Sequence, residues 1–292
     1  MVKKKRLLLG IFFLAGILVI FIFIKNVCFP TLAQRLKSRG DLGERQDDLS
    51  GIRVAIYFSR GMDANSALAA GRAFQWMGCS GVEVVNADSI KSGSLNSFDV
   101  LACPGGESQP DPWGELGLEG KLRIQEFIRG GGGYIGICFG ALYASDCCDY
   151  WSTRIGVDEL YLDLFPGVAY CGQKEIAPQG SWPLMTWLKI SDHTHPITAS
   201  LPDRIKIVYY PNGPYLRPDE DSNVTIVATY EITGNPAMVA FEYGKGRVFL
   251  SGPHPEIEVD SNRDGSNRFN ELSDKGSEWP LLLAVMMWLT RH

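Results

Sequence analysis

The chain has 292 residues, 45% of them hydrophobic and 21% charged, with a formal net charge of −5. This is ordinary globular composition, with enough apolar side chain for a sizeable core. A net negative chain without a long basic stripe in its body lacks the positive footprint of a nucleic-acid binder, so no nucleic-acid partner is expected.

The N-terminal segment stands apart. Met1 to Arg6 is a basic head, and Leu7 to Ile24 carries no charge. That length reaches the short end of a membrane-spanning helix, so residues 1–33 read as a membrane anchor or signal segment with its span at 7–24. The basic head places the N-terminus in the cytoplasm and predicts a membrane-anchored, exported body, secreted if cleavage occurs near Ala33. Lys25, Arg35, Lys37 and Arg39 just past the span weaken that rule. Residues 34–50 are polar, charged and without apolar period, and read as a linker.

Residues 51–292 read as one domain. Ile52–Phe58 has strand character, and Asn65–Met77 carries helix-spaced apolar residues that stop at Gly78. Val82–Val85 and Asp99–Cys103 are further strands. Leu118–Ile128 is a helix with Leu122, Ile124, Phe127 and Ile128 on one side, ended by Arg129 and four glycines. Tyr134–Cys138 is the next strand, and Ala141 begins another helix. This alternation predicts an α/β fold with a mostly parallel sheet and helices on both faces. The second half, with VTIVATY (224–230), AMVAFEYGKGRVFLSG (237–252) and stretches in the 160s and 180s, adds antiparallel strands. Gly244-Lys245-Gly246 marks a hairpin turn, and Ser277-Glu278-Trp279-Pro280 opens a closing helix with a capping serine and an early proline.

The chemistry concentrates at GGYIGICFGA (132–141), where Gly136 and Gly140 flank Cys138 in a Gly-x-Cys-x-Gly elbow. A nucleophile on a tight strand-to-helix turn holds an unfavourable backbone conformation, and flanking side chains would collide with neighbouring elements. A helix N-terminus also favours the thiolate. The matching base is His254. Pro255 holds it extended, so Glu256 shares its side and can orient the imidazole. Pro104-Gly105-Gly106-Glu107-Ser108 follows the third strand. There Gly105 and Gly106 can aim N–H groups at an oxyanion together with the N–H of Phe139. The products of such chemistry are a thioester on Cys138 and then its hydrolysis or transfer. A small-molecule amide or acyl substrate is implied, and neither metal nor organic cofactor is needed.

In combination, PGGES (104–108), GGGGYIGICFGALYAS (130–145) and YGKGRVFLSGPHPE (243–256) resemble class I glutamine amidotransferase-like domains. They are most similar to the amidotransferase-like domain at the N-terminus of some biotin-protein ligases. DLFPGVAYCG (163–172) and HTHPITASLP (193–202) resemble segments of the same group. The resemblance implies a flavodoxin-like α/β fold with a Cys138, His254, Glu256 triad. It departs at Leu142, where glutaminases of this class carry a glutamine that holds the substrate amide. A non-catalytic binding module and a redox-responsive thiol therefore stand beside the enzyme reading.

The remaining features are weaker. His193 and His195, with Asp192, share a face, but spacing marks no third metal ligand, so they read as loop residues. Tyr150-Trp151 lies where it can wall the pocket. The other cysteines are 28, 79, 103, 147, 148 and 171. In an exported chain Cys147 or Cys148 can pair with Cys171, whereas Cys79 and Cys103 read as small buried hydrophobes.

Overall fold

The computed structural model describes residues 32–38, 41–44, 49–106, 114–145, 148–150, 153–155, 161–259, 261–272, 274 and 276–291. A short helical stretch, 32–37, precedes the body. The elements then run β1 (Arg53–Tyr57), α1 (Ala64–Trp76), β2 (Gly81–Val85), α2 (Ala87–Lys91), a 3-10 turn (Ser94–Ser97), β3 (Val100–Cys103), α3 (Gly117–Arg129), β4 (Gly133–Ile137) and α4 (Phe139–Tyr143). They continue with β5 (Cys148–Tyr150), β6 (Thr153–Ile155), β7 (Gly167–Cys171), β8 (Leu184–Ile190), β9 (Arg204–Tyr209), β10 (Pro214–Pro218), β11 (Val224–Tyr230), β12 (Pro236–Tyr243), β13 (Gly246–Ser251) and α5 (Trp279–Leu289).

The main sheet has nine strands in the order β2-β1-β3-β4-β13-β12-β11-β8-β9. From β2 to β13 every pairing is parallel, in the strand order of flavodoxin-like sheets. From β13 to β9 every pairing is antiparallel. The expectation of a mostly parallel sheet is therefore corrected to a mixed one, divided evenly at β13. The cause is the Gly244-Lys245-Gly246 hairpin, which returns β12 directly into β13 instead of crossing over through a helix. A second sheet, β10-β7-β5-β6, holds the 160s stretch and was not anticipated.

Strands β3 and β4 are buried at every residue, as strands covered on both faces must be. The helices form two packed pairs, α1 with α5 and α2 with α3. Trp76 meets Trp279 across the first pair at 5.7 Å between ring centroids. In α3 the buried row is Gly120, Ile124, Gln125 and Ile128, and Leu122 lies exposed. The row follows i, i+4 spacing, which Leu122 does not share with Ile124 and Ile128.

Among the described residues no helix is long and apolar enough to cross a membrane. The spanning helix of the expected fold class, and the membrane-anchored location built on it, are corrected to that statement, which covers the described residues. Residues 7–24 lie outside the described residues. What is described of the N-terminal part packs on the body. Leu32, Leu36, Leu42 and Leu49 are buried in the core, so much of the segment expected as a polar linker is docked. The buried Arg72 guanidinium of α1 donates to the carbonyl oxygen of Arg35 at 2.9 Å, Gln75 donates to Leu36 at 2.7 Å, and Trp76 donates to Glu44 at 2.7 Å. Leu36→Ala should therefore cost about 2–4 kcal/mol in denaturant unfolding, whereas the same change in a solvated linker leaves stability within about 0.5 kcal/mol.

Candidate active site

Three adjacent parallel strands end at one place. β3 pairs with β4 at Cys103 and Gly136, and β4 pairs with β13 at Ile137 and Ser251. The residues that follow these ends, Pro104-Gly105-Gly106, Cys138 and Gly252-Pro253-His254, therefore converge at the carboxyl edge, where ligands of open α/β sheets sit.

Cys138 is held there at φ 53°, ψ −103°, in the left-handed half of backbone space. Its N–H donates to the carbonyl oxygen of Ser251 at 2.7 Å, and its own carbonyl accepts from Ala141 and Leu142 at 3.1 Å. A Cβ on Gly136 would lie 2.6 Å from the carbonyl oxygen of Gly140, and one on Gly140 would overlap the carbonyl oxygen of Cys103. The sharp turn thus requires glycine on both sides of the cysteine. The sulfur is covered, with the residue only 6% exposed.

His254 is 2% exposed and Glu256 is fully buried. His254 is pinned by an isolated bridge to Val208, its N–H donating to the Val208 carbonyl at 2.9 Å. Val208 lies on β9, the far edge of the sheet, so the antiparallel half curls back over the carboxyl end of the parallel half. The imidazole Nδ1 donates to Glu256 Oε1 at 2.8 Å. Nε2 is buried without a partner in hydrogen-bonding geometry. Burial by itself lowers the basicity of the ring, but the Glu256 carboxylate and the nearby Cys138 sulfur outweigh it and raise the imidazole to about 10.

Two neighbours were invisible in the sequence. Ser66, fully buried on α1, donates to Glu256 Oε1 at 2.7 Å and accepts the Gly105 N–H at 2.8 Å. The Gly105 amide expected at an oxyanion is therefore already engaged. Gly105 is needed for space as well, since a Cβ there would stand 2.7 Å from His254 Cε1. Gly106 bridges to Met62, and its hypothetical Cβ would meet the Phe139 ring at 3.3 Å. Glu107 and Ser108 lie outside the described residues. Tyr210, just past β9, packs against the imidazole at 4.2 Å between ring centroids and a 37° tilt, its hydroxyl buried and unpartnered. Arg268 lies over Tyr210 and donates to Asp63 Oδ2 at 2.9 Å. A small polar residue in an Ala-rich helix was the only sequence signal for Ser66.

Other candidates separate from this cluster. Burial pushes the thiols of Cys79 and Cys103 up to about 12, so both stay protonated at neutral pH. His193 is held by the Thr198 carbonyl and Asp203, and His195 Nδ1 accepts the Ile197 N–H. These are loop contacts, and the two rings do not converge on a third ligand. Cys147, Trp151 and the side chains of Cys148 and Tyr150 lie outside the described residues.

The model of the family described as biotin-protein ligase, N terminal, matches residues 54–278. The chain is 27% identical over 170 residues to a biotin–protein ligase of Schizosaccharomyces pombe, covering 52% of this chain and 25% of that protein. It is 31% identical over 168 residues to an uncharacterized protein of Chlamydia muridarum, covering 54% of this chain and 60% of the relative. The matches thus span a quarter and about three fifths of those relatives. Among solved structures, PurLQS from Thermotoga maritima superposes with a TM-score of 0.55 at 17% identity, covering 82% of this chain and 99% of the other. At that identity the likeness is one of fold, the class I glutamine amidotransferase-like fold.

The charged imidazole has a measurable consequence for stability. A folded-state value of about 10 against an ordinary 6.5 means that its contribution is fully present below pH 6.5 and is lost as pH rises towards 10. The thermal midpoint should fall across that window, and Glu256→Gln should flatten the dependence there.

Proposed function

The chain belongs to the biotin-protein ligase N-terminal family, and on that premise we propose that it is a thiol-dependent amide hydrolase or acyl transferase acting on a small amide or acyl substrate. Cys138 is the nucleophile, His254 the proton carrier and Glu256 the group that fixes the imidazole. One observation carries this reading. The buried imidazole is held by Glu256 through Nδ1, while Nε2 is unpaired and the Cys138 sulfur lies close enough to raise the ring's basicity.

In this reading the proton of the Cys138 thiol passes to His254, the sulfur attacks the carbonyl carbon, a C–S bond forms, and the carbonyl electron pair moves onto oxygen. Collapse breaks the bond to the leaving group, which takes a proton from His254. Water or another acceptor then attacks the thioester and gives its proton to His254, the C–S bond breaks to release the acid or the acylated acceptor, and the sulfur takes the proton back from His254 to regenerate the thiol. The oxyanion falls to the amides of Gly106 and Phe139, because Gly105 already donates to Ser66.

A second reading is a binding module that keeps the fold without turnover. It is supported by Leu142, which cannot hold an amide as glutamine does, and by the covered sulfur. Iodoacetamide labelling of Cys138 across pH, in the native chain and in His254→Ala, separates the two. The enzyme reading expects about tenfold slower labelling at neutral pH in the variant, with an acyl adduct on Cys138 by mass spectrometry after exposure to an amide library. Labelling that ignores His254 overturns it. Fast, His254-dependent labelling with no adduct selects the binding module or a redox-responsive thiol.

A further inference from the structure

We propose that Ser66 is a positioning residue of this site, acting through Glu256 to fix the tautomer and orientation of His254. The inference rests on the Cys138–His254–Glu256 reading and extends it to a residue from a different layer of the fold.

The hydrogen bonds fix their own direction. The Ser66 oxygen accepts the Gly105 N–H at 2.8 Å, so its single proton is available to Glu256 Oε1, 2.7 Å away. The same carboxylate oxygen accepts from His254 Nδ1 at 2.8 Å. A line of donors therefore runs from the Gly105 amide through the serine hydroxyl to the carboxylate, and meets the imidazole proton from the other side. With Nδ1 committed as a donor, Nε2 is the nitrogen left to exchange a proton with the sulfur.

Two further observations assign Ser66 a role beyond filling space. Ser66 is the third residue of α1, where a serine hydroxyl can turn back to its neighbouring backbone, but this one is aimed off the helix at a residue 190 positions away. Glu256 Oε2 is buried and unpartnered, so all the carboxylate's direct hydrogen bonds converge on Oε1. Loss of the serine would leave the carboxylate held by the imidazole alone and free to rotate. It would also orphan the Gly105 amide, whose turn lies against His254 Cε1.

The test measures the imidazole directly. In Ser66→Ala, the nitrogen-detected NMR titration of His254 should move down by about one pH unit, and labelling of Cys138 at pH 7 should slow roughly three- to tenfold. Ser66→Thr, which keeps the hydroxyl, should restore both. Ser66→Cys keeps the volume with a weaker donor, and must shift the titration in the same direction should the alanine variant not fold. A folded Ser66→Ala or Ser66→Cys with an unchanged His254 titration overturns the proposal. Labelling that is insensitive to His254→Ala defeats the nucleophile reading instead, and leaves the titration to decide Ser66 on its own.

Discussion

The hydrogen bond from the Cys138 amide to the Ser251 carbonyl, 2.7 Å long, is the contact on which the site depends. It prolongs the β4–β13 ladder one step past its last paired residues and fixes the cysteine backbone where the chain must leave the sheet. A non-glycine residue at positive φ is unfavourable by itself and persists only where its surroundings over-determine it. Here the surroundings are the ladder on one side and the first turn of α4 on the other. Two segments far apart in sequence become neighbours because parallel pairing brings their strand ends level. The meeting of Cys138, His254 and Glu256 is thus a consequence of strand order, and the flanking glycines are what that order leaves room for.

Glu256 is braced by a loop that carries its own buried charges. The Trp279 indole donates to the Glu256 carbonyl at 2.9 Å, which ties the segment carrying His254 and Glu256 to the start of α5. Two residues along, the Glu258 carboxylate accepts from Arg263 Nε at 2.7 Å and from Ser277 Oγ at 2.6 Å. Arg263 also lies over the Trp279 ring at 4.3 Å. Burial, with the Glu258 and Glu256 charges behind it, raises the Asp264 carboxyl to about 6, and burial together with the Asp274 and Glu258 charges raises Glu278 well above the usual carboxylate range. Arg263 is the cation that balances this group, and its planar fork reaches a carboxylate and a hydroxyl together. The loop after β13 is therefore a polar core in its own right, built so that Glu256 can be buried and still be held.

Much of this architecture was legible in local spacing. The parallel strands β1 to β4, the glycines about Cys138 and the i, i+2 relation of His254 to Glu256 follow from period and from proline, which act within a few residues. Family resemblance supplied the grouping of the three segments that parallel pairing brings together. The rest is tertiary. Nothing local to Val208 indicates that an edge strand curls back to pin His254, and nothing local to Ser66 marks its partner. Gly105 was read as a donor to an oxyanion, because an isolated Gly-Gly cannot reveal that an imidazole will occupy the space beside it. The N-terminal leucines 32, 36, 42 and 49 were masked by the charges between them, since a docked strap needs only an occasional apolar residue and carries no regular period. Leu122 erred the other way, as an apolar residue whose helical angle puts it in solvent.

The cover over the sulfur is uneven. The parallel sheet, α4 and the Tyr209–Tyr230 pair, with ring centroids 5.4 Å apart, belong to the core, where displacing any one side chain costs several kcal/mol. The side bearing Tyr210 is different. Tyr210 is half-buried, its hydroxyl has no partner, and its neighbour Arg268 is partly exposed in its pair with Asp63. Only the Arg268 half of that pair is exposed, and the Asp63 carboxylate is largely covered. Asp63 also caps α1 through the Asn65 amide, the helix that carries Ser66, so that ion pair and the brace of Glu256 share one helix end.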